Sequence, residues 1–330
     1  MNDQHAYCTP ADVAAAHARL HGIAVETPLI SSPELEQLLG GRLLIKPECL
    51  QRTGSFKIRG AYNLMSQLGE QQRKDGVVAW SSGNHAQGVA AAAAMLGIQA
   101  AIVMPEDAPK AKLDNTRRLG AEVITYDRYS GDREAIARQV ATARGAQLVP
   151  SYDHPDIIAG QGTVGLEIAL QLAEMDVVPD QVLVCCGGGG LISGSATALK
   201  DRFPGVAVYA VEPQAFDDTA RSLVAGERQK VADDARSICD ALQAHTPGAM
   251  TFELNRMLLD GGLTVSDAEV GHAMRQAFRY LKLVVEPGGA VALAAALSAK
   301  IATRGKTTVV VISGGNVDVE LFSRIMGEGA

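Results

Sequence analysis

The sequence predicts an α/β fold of two lobes, each built on an open parallel sheet. Three observations carry that expectation. Short apolar, β-branched runs alternate with helix-patterned stretches along most of the chain, which is the pattern of strand–helix–strand units. Runs such as Val182-Leu183-Val184 and Val309-Val310-Val311-Ile312 are apolar throughout, as suits strands covered on both faces. The units fall into two groups, at roughly 75–148 and 150–312.

Strands are predicted at Val77–Trp80, Ala100–Met104, Glu122–Thr125, Gln181–Cys186, Val206–Val211 and Thr308–Ile312. Helices are predicted at His85–Leu96, Ala108–Leu119, Asp132–Ala143, Gly162–Glu174 and Leu191–Arg202. The expected division is a large domain from 1–72 together with 150–330, and a small one from 73–149. Ligands of such folds bind beyond the carboxyl ends of strands.

Composition narrows the function classes. The 330 residues, 47% hydrophobic and 20% charged, can bury a large core. A net charge of -7 with no basic stripe argues against a nucleic-acid partner. No run of about 18 apolar residues is present, so no membrane span is expected. The start, Met1-Asn2-Asp3-Gln4-His5, has neither a basic nor an apolar stretch and reads as no signal peptide. Five cysteines, Cys8, Cys49, Cys185, Cys186 and Cys239, fit neither a disulfide framework nor a zinc site. Cys185 and Cys186 end an apolar strand and read as buried thiols. A reducing cytoplasm is the expected compartment.

Four clusters carry the chemistry. Gly187, Gly188, Gly189 and Gly190 join a predicted strand to a predicted helix. Glycines let backbone N–H groups approach an anion, and a helix start adds positive potential. The alternative is a tight turn without a ligand. The dinucleotide fingerprint G-x-G-x-x-G fails, because Ile192 and Ser193 interrupt it, and the P-loop fails for want of a lysine after Gly194.

Ser81-Ser82-Gly83-Asn84-His85 occupies the next strand-to-helix turn. One polar residue there, Ser82 or Asn84, suffices to cap the helix. The whole run also offers several donors to a carboxylate at the positive helix end. Lys57, between Phe56 and Ile58, is either a solvated helix-start lysine or a Schiff-base amine. The second role requires an apolar, desolvated site that lowers its pKa. Ser313, ahead of Gly314-Gly315-Asn316, ends a strand. It is placed either to cap the next helix or to hydrogen-bond a ring nitrogen. A lysine, an anion-binding turn, a phosphate cradle and a late hydroxyl are together the parts that hold pyridoxal phosphate.

With these motifs the chain resembles the serine/threonine dehydratases and serine racemases of the fold-type II pyridoxal-phosphate enzymes. The resemblance runs over about residues 10–325. It includes Thr27-Pro28-Leu29, Gln51–Ala61, Ser81–Ala90, Met104–Pro109, Ala159–Glu167, Gly187–Gly194, Val211-Glu212-Pro213, Val285–Gly289 and Ser313–Asp318. It implies a two-lobed fold of the fold-type II kind and pyridoxal 5'-phosphate as cofactor. Lys57 is then the Schiff-base lysine and α-carbon base. Phe56 packs beside the ring, Asn84 bonds its phenolic oxygen, and Glu286 lies near it. Gly187 to Gly190 bind the phosphate, and Ser313 faces the pyridine nitrogen. Ser81, Ser82, Gly83 and His85 surround the substrate carboxylate.

The implied reaction is dehydration of a small β-hydroxy amino acid, of the threonine or serine type, to a 2-oxo acid and ammonia. Alternatives are threo-3-hydroxyaspartate or phenylserine dehydration, and serine or aspartate racemisation with Ser82 as the acid opposite Lys57. Arg133 either reads a second substrate carboxylate or is an exposed helix residue. In racemase-like members a divalent cation sits where this chain has Glu212, the Phe216 carbonyl and Asp218. Such oxygen ligands suit Mg²⁺, Ca²⁺ or Mn²⁺. A homodimer is expected from the family alone. Departures include Cys239-Asp240-Ala241-Leu242, Trp80 before the serine-rich turn, and Tyr126-Asp127-Arg128-Tyr129 with Ser151–Pro155. The last two look closer to members that act on 3-hydroxyaspartate.

Overall fold

The computed structural model describes residues 8–108, 110–127 and 131–328, without the side chains of Ala111 and Lys112. Pro109, Arg128 and Tyr129 of the sequence motifs lie outside those residues. The strands are β1 (Arg42–Pro47), β2 (Val77–Trp80), β3 (Ala100–Pro105), β4 (Glu122–Tyr126), β5 (Gln147–Leu148), β6 (Gln181–Cys185), β7 (Ala207–Pro213), β8 (Gly261–Val265) and β9 (Thr307–Ile312). One sheet has the order β1-β9-β6-β7-β8, the other β4-β3-β2-β5. Every strand pairing in both is parallel.

The helices in chain order are α1 (Pro10–Leu20), α2 (Pro33–Leu39), α3 (Lys57–Ser66), α4 (Glu70–Asp75), α5 (Asn84–Leu96), α6 (Lys110–Arg118) and α7 (Arg133–Arg144). After them come α8 (Pro155–Glu174), α9 (Gly190–Arg202), α10 (Asp218–Ala225), α11 (Ala249–Leu258), α12 (Asp267–Gln276), α13 (Pro287–Leu297) and α14 (Val319–Gly327). No helix among the described residues is long and apolar enough to cross a membrane.

Both sheets are covered on both faces. Along β2, Val77 and Ala79 pack into one apolar cluster with Ile58, Ala86 and Val89, while Val78 packs into another with Ala137 and Ala141. That alternation puts α3 and α5 on one face and α7 on the other. The core of the five-stranded sheet collects β1, β6, β7 and β9 with α8, α9, α12 and α13.

Strand order locates the crevices. In the four-stranded sheet the chain steps from β2 to β3 to β4 in one direction, then returns to place β5 on the other side of β2. In the five-stranded sheet it steps from β6 to β7 to β8, then places β9 on the other side of β6. A doubly wound sheet opens a crevice at such a reversal, outside the carboxyl ends of the two flanking strands. Ser81–His85 follow β2 and Val149–Tyr152 follow β5. Gly187–Gly190 follow β6, and Ser313–Asn316 follow β9. Three of the four sequence clusters therefore stand at reversal points.

Lys57 is brought to them by a different route. It is the first residue of α3, which starts after a tight loop without a side-chain cap. Ser55 bridges Gly314, and the Phe56 N–H donates to the Ser313 carbonyl at 3.2 Å. These bonds tie the α3 start to the end of β9. On its other side, α5 crosses at Gly88, where a Cβ would come within 3.0 Å of the Lys57 backbone.

Behind the lysine lies a buried ion cluster. The Arg59 guanidinium forks onto Glu48 (2.7 and 2.8 Å) and onto Glu167 (2.5 and 2.9 Å). Lys46 donates to Glu167 at 2.7 Å and to the Thr27 carbonyl at 2.6 Å. Glu48 also accepts from the Thr27 hydroxyl at 2.7 Å. Burial alone raises the Glu48 carboxyl, but the Arg59 charge and hydrogen bonds, with Lys46, bring it net below the ordinary range. Two cations and two anions cancel, so the cluster is tolerable in an apolar interior. It joins β1, the turn after it, α3 and α8 into one unit under Lys57.

Candidate active site

The Lys57 amine donates to the Ser151 carbonyl at 2.9 Å and lies 5.2 Å from the centre of the Phe56 ring. Burial lowers its pKa to about 8, partly opposed by Cys185 and Glu286. An amine so placed is deprotonated at a pH where an ordinary lysine is not, as a nucleophile and base requires.

The Ser81–His85 turn differs from the capping expectation. Gly83, not Ser82 or Asn84, holds the N-cap position, and no side chain caps the helix. The Gly83 N–H donates to Ser81 Oγ at 3.1 Å, which orders the turn. Ser82 makes no hydrogen bond among the described residues. Asn84 is locked from two sides: its amide nitrogen donates to Glu286 (2.6 Å), and its oxygen accepts from Asn316 (2.7 Å). His85 Nε2 is 2.8 Å from the Val149 carbonyl, so that nitrogen carries the proton. Burial, with the nearby Lys57 charge, pushes the His85 pKa down to about 3. His85 is neutral at ordinary pH and is not a cationic partner for a carboxylate.

Ser313 is buried at the end of β9, where its hydroxyl acts on the Cys185 thiol and opposes the rise of its pKa. It caps nothing: Asp318 caps the helix that follows. Burial pushes Cys185 up to about 11, so it stays a thiol. All five cysteines are free.

The glycine loop is a set of donors. Gly189 is the N-cap of α9 with φ +97°, a conformation that favours glycine. A Cβ on Gly188 would fall 2.3 Å from the Tyr152 ring, and one on Gly189 2.8 Å from Thr251. The N–H groups of Gly188, Gly189, Gly190 and Leu191 reach no acceptor among the described residues. Unpaired N–H groups at a helix start form an anion site. Together with the low-pKa amine, this donor set fits a phosphorylated aldehyde.

A family profile described as "Pyridoxal-phosphate dependent enzyme" matches residues 22–314. The chain belongs to this family. It is 46% identical over 315 residues to an L-threo-3-hydroxyaspartate ammonia-lyase of a Pseudomonas species, covering 96% of this chain and 97% of that one. It is 40% identical to a serine racemase of Schizosaccharomyces pombe, over 99% of this chain and 100% of the other. Among solved structures, a T.th. threonine deaminase superposes with a TM-score of 0.88, at 44% identity, covering 94% of this chain and 99% of that one. The fold is that of fold-type II pyridoxal-phosphate enzymes, and the chain is an enzyme of that class.

Arg133 is the exposed first residue of α7 and makes no ion pair among the described residues, yet its charge reaches Tyr152. Glu212 is buried and accepts from the N–H groups of Thr219 (2.9 Å) and Ala220 (2.7 Å). Both Asp218 oxygens are buried without a partner. Burial raises Asp218 to about 7 and Glu212 well above its usual range. No cluster of three or more His, Cys, Asp or Glu placed to hold a metal occurs among the described residues.

Sequence reasoning missed the Ser151 carbonyl, Tyr152, Asn316 as the clamp on Asn84, and the side chains beneath the glycine loop. It also missed Thr53, a β-branched residue at φ +61° whose carbonyl accepts from Asn316. Positive φ in such a residue is strained and tends to collect at functional sites. A polar residue beside a motif was the only available signal.

Proposed function

We propose that this enzyme dehydrates a β-hydroxy amino acid to a 2-oxo acid and ammonia. The observation that carries the reading is the Lys57 amine, with its pKa near 8, at the crevice where the glycine loop and the Ser81–His85 turn also stand. Bound pyridoxal phosphate supplies the electron sink that makes the substrate α-proton acidic.

The chain's own residues divide the remaining work. Lys57 would hold the cofactor by its carbonyl carbon in the resting enzyme and, once its amine is free, would exchange a proton at the substrate α-carbon. The glycine N–H groups and the α9 start hold the phosphate. The Ser81 hydroxyl and the start of α5 meet the substrate carboxylate. Asn84, clamped by Glu286 and Asn316, presents its amide in one orientation. Ser313 is a neutral hydroxyl beside a thiol. Without a carboxylate at that position the sink is weaker, which favours β-elimination over transamination. The α-C–H and β-C–O bonds break, water leaves, and hydrolysis of the enamine product releases ammonia.

Threonine and serine are the parent substrates of this reading. Arg133, which makes no ion pair among the described residues and whose charge acts on Tyr152, supports threo-3-hydroxyaspartate as a further substrate, because its fork suits a second carboxylate. The test is oxo-acid release from L-threonine, L-serine and DL-threo-3-hydroxyaspartate by the wild type and Arg133→Ala. A rise in KM for hydroxyaspartate alone supports the assignment, and an equal effect on all three removes Arg133 from it. No oxo acid from any of them contradicts the dehydratase reading.

A divalent cation, Mg²⁺, Ca²⁺ or Mn²⁺, held by Glu212, the Phe216 carbonyl and Asp218 would pair the two orphaned Asp218 oxygens. Chelation is expected to lower the melting temperature, and an unchanged melt counts against the cation.

A further inference from the structure

The conformation of the glycine loop is set by side chains beneath it. Thr251 Oγ1 donates to the Gly188 carbonyl at 2.7 Å. The Gly189 carbonyl is met twice by Ser193, by Oγ at 2.8 Å and by its backbone N–H at 2.9 Å. Ser193 Oγ is also 2.8 Å from the Asn255 amide. Thr251, Ser193 and Asn255 are fully buried.

A trans peptide points its C=O and the following N–H in opposite directions, and no cis peptide occurs among the described residues. Turning the Gly188 carbonyl down to Thr251 therefore turns the Gly189 N–H up. Turning the Gly189 carbonyl down to Ser193 does the same for the Gly190 N–H. These are two of the N–H groups that reach no acceptor among the described residues. We propose that Thr251 and Ser193, backed by Asn255, are positioning residues for the cofactor phosphate. They touch the loop's carbonyls and aim its donors.

The hydrogen count supports an ordered relay. The Ser193 hydroxyl has one proton and three acceptors in reach as the Asn255 amide is placed, the Gly189 carbonyl and the Asn255 oxygen at 2.8 Å and the Thr251 carbonyl at 3.3 Å, and Asn255 Nδ2 is then a buried donor without a hydrogen-bond partner. A half-turn of that amide pairs Nδ2 and leaves the Gly189 carbonyl as the nearest acceptor of the Ser193 proton. Asn255 Nδ2 donates to Ser193 Oγ, and Ser193 donates to Gly189. The relay is anchored by α11, which carries Thr251 and Asn255. Asp153 accepts from the N–H groups of Ala249 (2.9 Å), Met250 (2.9 Å) and Thr251 (3.1 Å) at that helix start. Asp153 adjoins Tyr152, whose ring lies against Gly188. One segment thus fixes the loop from the side and, through α11, from below.

This inference rests on the reading of the glycine loop as the phosphate cradle. It is tested on the full-length apoenzyme with two ligands, pyridoxal phosphate and pyridoxal, which lacks the phosphate. Binding is followed by absorbance, with no substrate present. Thr251→Val and Ser193→Ala leave a loop carbonyl without its hydroxyl donor, a loss of roughly tenfold to a hundredfold in affinity, or about 1.4–2.8 kcal/mol. We expect that loss for pyridoxal phosphate, little change for pyridoxal, and recovery in Thr251→Ser. An equal loss for both ligands, or no loss for either, overturns the proposal. If Thr251→Val does not fold, Ser193→Ala carries the same comparison of the two ligands, with the wild type as its reference. A wild type that binds both ligands equally overturns the cradle itself. Discrimination without any oxo-acid production would instead contradict only the dehydratase reading.

Discussion

Single residues divide sharply into those legible in the sequence and those that are not. Lys57, Asn84 and Ser313 were singled out because a motif surrounds each. His85 was singled out as a neighbour of the substrate carboxylate, and in the structure it is a neutral donor to Val149. The consequence is measurable. An unfolded imidazole titrates near 6.5 and the folded one near 3. Between those values the unfolded chain binds one more proton, so this contribution to stability is whole above pH 6.5 and fades as pH falls toward 3. Denaturant melts from about pH 7 to 4 should show wild type losing more stability than His85→Asn. Parallel curves would contradict the assignment. Ser82, which makes no hydrogen bond among the described residues, is the residue on which a racemase activity would depend. Ser82→Ala should abolish D-amino acid formation and spare much of the elimination, as chiral chromatography beside an oxo-acid assay would reveal. Equal loss of both would defeat a two-face mechanism.

At the scale of elements, apolar β-branched runs were readable and polar or short ones were not. β6 and β9 announce themselves as unbroken apolar strands. β8 begins Gly261-Gly262 and β5 has two residues, so neither carries a period. β1 reads Arg-Leu-Leu-Ile-Lys-Pro, and Lys46 disguises it until its charge is seen to meet a buried anion. The other members of that ion cluster, Glu48, Arg59 and Glu167, are spread along the chain, and no local pattern links them. The ion cluster is the firmest element-scale expectation. Arg59→Met strands Glu48 and leaves Glu167 with Lys46 alone, and breaking a buried pair this way costs about 3–5 kcal/mol. Calorimetry should record a melting temperature lowered by many degrees. A change of only a degree or two would mean that water or rearrangement replaces the guanidinium.

Across the whole molecule, the alternation of runs already implied two parallel sheets, but not their strand order. Order is what turns four clusters into one site. β5 returning beside β2 and β9 returning beside β6 place three clusters at reversal points, and the Ser55–Gly314 bridge delivers Lys57 to them. The fold does not by itself choose among dehydration, racemisation and other reactions of this cofactor. The choice lies with Lys57, the neutral Ser313 and the groups that meet the substrate. The most direct measurement is the absorbance spectrum of the purified protein, with L-threonine, L-serine and threo-3-hydroxyaspartate then added and oxo acid assayed. The account predicts a band near about 410–420 nm in the wild type, absent in Lys57→Ala, and oxo acid with ammonia from at least one substrate. A protein that stays colourless when pyridoxal phosphate is supplied, or a band that survives Lys57→Ala, would contradict it.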